Sequence, residues 1–140
     1  MKKLLALILL VAGGWFWWHE PAAHDPVQTS IGLPRPSLHG DYTITPLANY
    51  EIKAVVLSRE RYRNDAGANF APVDLALGWG PMSTAAVIND LNISQSGRWY
   101  EYSWSGEEPL DPALIATHSA NTHCLPATPE IRRRLGANHI

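Results

Sequence analysis

Behind Met1-Lys2-Lys3 the chain runs apolar and uncharged from Leu4 to Trp18. Two lysines ahead of such a run mark an export signal and leave the N-terminus in the cytoplasm. As a helix the run reaches about 22 Å at roughly 1.5 Å per residue, short of the ~30 Å hydrocarbon core. Trp15, Phe16, Trp17 and Trp18 close it like an aromatic belt, too bulky for a small-residue cleavage site. Residues 1–18 therefore read as a signal-anchor holding the chain in the inner membrane, single-pass, through residues 4–18. A signal peptide cut after Ala23 is the alternative. Both readings put the remainder in a bacterial periplasm.

From 19 to 49 a proline recurs every few positions (Pro21, Pro26, Pro34, Pro36, Pro46), which blocks helix and interrupts sheet ladders. This stretch reads as a semi-extended linker, with 41–45 as a short strand. The folded domain is expected over 50–140. Residues 51–58 are rich in β-branched side chains and predict a largely buried strand; 59–69 carry charge and glycine and predict a solvated loop. Ser83 is placed as the N-cap of a helix over 84–91. Between Ile93 and Trp104, Tyr100, Tyr102 and Trp104 alternate with Trp99, Glu101 and Ser103, an aromatic-faced strand. Asp111 and Pro112 open a short helix to about Thr117, a strand follows over 118–125, and Thr128-Pro129-Glu130 starts a last helix that Gly136 stops. The order predicts an α+β domain with a small, mainly antiparallel sheet and short helices.

Composition narrows the partners. The 140 residues carry a net charge of −2 with 46% hydrophobic residues, which gives one globular domain and no clustered basic surface for nucleic acid. Cys124 is the single cysteine, so no intramolecular disulfide forms. Arg132 to Arg134 suit the C-terminal end of the last helix.

Three polar clusters carry candidate chemistry. In Asp74–Ser83, glycines flanking Trp79 before a proline make a sharp turn that either buries the indole or presents it as a stacking platform. Around Gly97, the hydroxyl of Ser96 and the charge of Arg98 fit a turn or an anion nest. The third cluster, His118-Ser-Ala-Asn-Thr-His-Cys124, offers His123 as general acid or base, with Asn121 on its strand face and Asp74 as the nearest carboxylate candidate. His118 and His123 would hold a divalent metal only if a bulge or helix-to-strand break turned both to one side.

The segments Lys53–Glu60, Pro72–Ser83 with its GWGPMS, Ile93–Tyr100 with ISQSGRWY, and His118–His123 resemble one uncharacterised family of small bacterial exported or membrane-anchored proteins. The resemblance spans about residues 50–135. It implies export and leaves the activity open. Thr84 stands where an acidic residue is usual, and Thr122-His-Cys124 where Met-His-Leu is usual. Relatives continue beyond such a last helix into strands resembling half of a small barrel, so this chain reads as a shortened, partial barrel with an unpaired sheet edge.

Two functions stay open. One is a membrane-tethered periplasmic accessory or binding module for a protein or other ligand, recognising it through Trp79, Ser96, Arg98, Trp99 and Tyr100, with no cofactor. The other is a small periplasmic hydrolase using His123, oriented by Asp74 or Asn121, with Ser96 or Arg98 at the substrate and a divalent metal as an optional aid.

Overall fold

The computed structural model describes residues 23–136; the membrane-anchor reading of 1–18 lies outside them. Among the described residues no helix is long and apolar enough to cross a membrane. The domain is α+β, sheet-rich, with antiparallel strand pairs and a few short helices.

The 19–49 segment is not a plain spacer. It carries β1 (His24–Thr29), β2 (Ser37–His39) and β3 (Tyr42–Ile44) ahead of β4 (Asn49–Lys53). β1 pairs with β4, and β2 forms a hairpin with β3. The prolines sit where a ladder tolerates them: Pro26 falls in the irregular register between His24 and Val27, and Pro34 and Pro36 lie in the β1–β2 connection. The strand expected over 51–58 is divided at Ala54, with β4 before it and β5 (Val55–Arg61) after it, so the expected loop begins only past Arg61.

The main sheet is three-stranded, in the order β5, β6 (Val73–Gly78), β9 (Ser119–Cys124), antiparallel throughout. The central strand β6 is buried or half-buried along its whole length. Its last residue has to be glycine, because a Cβ at Gly78 would collide with the Met82 carbonyl oxygen and the Leu57 methyls. A 3-10 turn, Gly80–Ser83, follows β6, and then α1 (Ala85–Ile88). Thr84, not Ser83, occupies the cap position, since the Ser83 hydroxyl is spent on the Gly80 carbonyl, 2.7 Å away.

The segment read as one aromatic strand is a hairpin: β7 (Asn92–Ser96) pairs with β8 (Trp99–Ser103). Ser96 faces Trp99 across it, which leaves Gly97 and Arg98 as a two-residue turn, with φ of 57° and 73°. Positive φ at both positions is the type I′ geometry that matches strand twist. This hairpin folds over the main sheet with β7 beside β5 and β8 beside β9. Between them lies the apolar core of Met82, Leu91 and Ile115, joined by Leu57, Val87, Ile93, Tyr102 and Trp104. As expected, Asp111 caps α2 (Pro112–Thr117) by accepting the Ala113 N–H, and a last helix, α3 (Pro129–Gly136), follows.

Candidate active site

Register brings the chemistry together. On β6 and β9, Asp74 stands opposite His123 and Ala76 opposite Asn121, so Asp74, Asn121 and His123 share one sheet face. The β7–β8 turn lays Arg98 on that face. The Asp74 side chain is fully buried and meets three donors. Arg98 Nη1 lies 3.0 Å from its Oδ1, His123 Nδ1 2.8 Å from its Oδ2, and Asn121 Nδ2 3.4 Å from the same oxygen. A carboxylate that accepts from all three requires His123 to carry its proton on Nδ1. The imidazole is thereby fixed in one tautomer, with Nε2 as a lone-pair acceptor. Half of the His123 side chain is exposed (53%), on the wall of a cleft of about 250 Å³ shared with Gly67, Phe70, Ala71, Arg98 and Leu125.

Each member is braced from behind. Asn121 accepts from Gln95 Nε2 at 2.8 Å and donates to the Arg98 carbonyl at 3.0 Å. Arg98 holds a left-handed backbone conformation that costs a non-glycine residue about 1–3 kcal/mol, and several contacts impose it. Its N–H donates to the Tyr62 hydroxyl, 3.0 Å away, and its guanidinium lies 3.8 Å above the Tyr62 ring. Nε and Nη2 grip Asp65 as a fork at 2.8 and 2.7 Å, while Nη1 also donates to the Ala71 carbonyl at 2.7 Å. Four hydrogen bonds thus occupy the guanidinium.

The Arg98 hydrogen bonds hold the Asp65 carboxyl below its usual range, against a smaller opposing effect of desolvation. A lowered folded-state value makes the Asp65 contribution complete above about pH 4, the ordinary carboxyl value, and it is lost as pH falls through the folded value. We expect the Arg98 side-chain N–H resonances to lose protection in that acid window, and the Asp65→Asn protein to show no such step there. An unchanged step in the variant would assign it to another carboxylate.

The other expected site residues are dispersed. Trp79 is buried (6% exposed), with its backbone N–H donating to the His118 carbonyl, so its indole anchors the fold and presents no platform. Ser96 is exposed on the hairpin, and Trp99 beside it is 72% exposed. His118 lies at the far end of β9 from His123. It packs so closely on Gly80 that a Cβ there would approach its Cδ2 to 2.8 Å, and its Nδ1 lies 2.9 Å from the Leu114 carbonyl. The helix-to-strand break at His118 therefore does not turn the two histidines to one side. Among the described residues no group of three His, Cys, Asp or Glu side chains is placed to hold a metal ion. Cys124 follows His123 and alternates to the opposite face of β9. Burial, reinforced by the Asp74 charge, pushes its thiol up, so it remains protonated at neutral pH.

Sequence reasoning missed Tyr62, Asp65, Phe70 and Leu125. Asp65-Ala-Gly67 carries a turn signal, but nothing along the chain indicates that the turn meets Arg98. No family model matches the chain, and no curated protein or solved structure matches it.

Proposed function

We propose that the domain is a small hydrolase in which His123 is the general base and acid and Asp74 its orienting carboxylate. The observation that carries this reading is the 2.8 Å contact from His123 Nδ1 to a fully buried carboxylate, with the rest of the ring open to a cleft. A carboxylate behind an imidazole fixes the tautomer and stabilises the imidazolium that forms during proton transfer. Water entering the cleft beside the imidazole is the nucleophile in this reading. Nε2 takes a proton from water as its oxygen bonds to the substrate's electrophilic carbon, and the imidazolium returns that proton to the leaving group as the old bond breaks. The charged N-terminus and apolar run support export and a membrane tether, and with them a periplasmic setting for this chemistry. The hairpin lying against both outer strands of the main sheet supports a partial-barrel reading.

The test is hydrolysis by the full chain in lipid nanodiscs of p-nitrophenyl acetate, p-nitrophenyl phosphate and a p-nitroanilide. His123→Gln is expected to lower kcat/KM by about 10²–10⁴-fold on the substrate that turns over, with only a small drop in the thermal midpoint because the glutamine amide can donate to Asp74 in place of Nδ1–H. Turnover indifferent to His123→Gln, or absent on all three, sinks the reading.

One observation favours a second reading, the accessory module: Trp99 exposes 72% of its surface at the hairpin. Exposed indoles anchor interfaces. An inert protein whose Trp99→Ala variant loses a periplasmic partner would establish it.

A further inference from the structure

The cleft beside His123 has a composition that selects its occupant. Its walls are Gly67, Phe70, Ala71 and Leu125, with Arg98 and His123 as the polar members. Arg98 is the one permanent charge among these lining residues, four of its five N–H donors are taken by Asp65, Asp74 and the Ala71 carbonyl, and the two carboxylates neutralise its charge. An anionic ligand would find no uncommitted cation there, and a carboxylate desolvated without a partner is costly. A cationic ligand would find Asp74 buried and engaged behind His123. At about 250 Å³ the cleft falls below the roughly 300–1,000 Å³ of sites for drug-sized ligands.

Phe70 is set in this wall from behind. His39 and Tyr42 of the β2–β3 hairpin meet its ring edge-on, with centroids 5.6 and 5.5 Å away. Edge-to-face pairs hold a ring at a defined angle, so the segment expected to be a spacer shapes the cleft.

We propose that this cleft binds an uncharged small molecule. An apolar group a few carbons long lies on Phe70, Ala71 and Leu125, and the polar end lies at the imidazole edge that Asp74 leaves free, where an amide N–H donates to Nε2 or a carbonyl is reached through the water that Nε2 holds. The assignment deepens the hydrolase reading by naming its substrate class, a neutral short-chain ester or amide, and rests on it for the chemistry at the polar end.

The test is an NMR titration of the full chain in lipid nanodiscs with three probes of one shape: butyramide, butyrate and n-butylammonium. Butyramide is expected to shift the Ala71 and Leu125 methyl signals and the His123 ring saturably, at least tenfold more tightly than either ion. Leu125→Ala, at a half-buried position the fold tolerates, is expected to weaken butyramide several-fold. Butyrate or n-butylammonium binding as tightly as butyramide overturns the proposal, as does the absence of shifts with all three. The two readings separate cleanly. Butyramide binding without any His123-dependent turnover removes the hydrolase and leaves the neutral-ligand site. His123-dependent turnover with no preference for butyramide removes the substrate class alone.

Discussion

Arg98→Met is expected to destabilise the protein by about 3–5 kcal/mol, the cost of leaving a buried charge without its partner. Asp74 is fully buried, and the permanent charge of Arg98 pairs with it at 3.0 Å. The exposed half of the arginine's work contributes far less. Asp65 is 38% exposed, and water screens a pair of that kind, so it contributes little. The two effects are separable by chemical denaturation. Asp65→Asn should shift the midpoint slightly, Arg98→Met strongly, and Arg98→Met/Asp74→Asn should recover part of the loss because the orphaned charge is gone. Arg98→Gly relaxes the left-handed backbone yet removes the same hydrogen bonds, so it should remain well below the wild-type protein. A loss of 1 kcal/mol or less for Arg98→Met would mean that His123 and Asn121 suffice to hold the carboxylate, and that the hairpin is not pinned through it.

What the sequence disclosed and what it concealed follow the same physics. The Asp111-Pro112 and Thr128-Pro129 helix starts were legible because capping is local, and β7–β8 announced itself through alternation, though not its fold-back at Gly97-Arg98. The central strand β6 was hidden. Val73-Asp-Leu-Ala-Leu-Gly78 is packed on both faces, so it has neither alternation nor helical spacing to mark it as a strand. Its one polar residue is Asp74, and the pairing with His123 is a fact of strand register that neither segment encodes alone. Gly97-Arg98 read as a turn or an anion nest; it is a turn, and the protein supplies its own anions, Asp65 and Asp74, to Arg98. In the N-terminal segment the strand at 41–45 was legible as β3, but proline density concealed β1 and β2, because a bulge and a connection accommodate the prolines that would have broken a central ladder.

Asp74→Asn tests the same carboxylate from the catalytic side, with an expected loss of about 10²–10⁴-fold in kcat/KM on any substrate that His123 turns over. The amide is nearly isosteric and keeps an oxygen for one donor, so the fold should survive better than with an apolar residue. Its NH₂ group changes the polarity of the contact. Turned toward His123, it donates to Nδ1 and moves the ring proton to Nε2, where a base is needed. Asp74 acts only through the imidazole, so its loss is bounded by that of His123→Gln and should not add to it in the double variant. ¹⁵N shifts of the His123 ring give a readout independent of turnover. They should report Nδ1–H in the wild-type protein and Nε2–H in the Asp74→Asn protein, whatever the substrate. A ring that keeps its Nδ1 proton in the variant, or a rate loss that multiplies with that of His123→Gln, would show that Asp74 serves the Arg98 hairpin and not the imidazole. The structure places it against both, with 3.0 Å to one and 2.8 Å to the other, and the non-additivity decides which of the two contacts the activity uses.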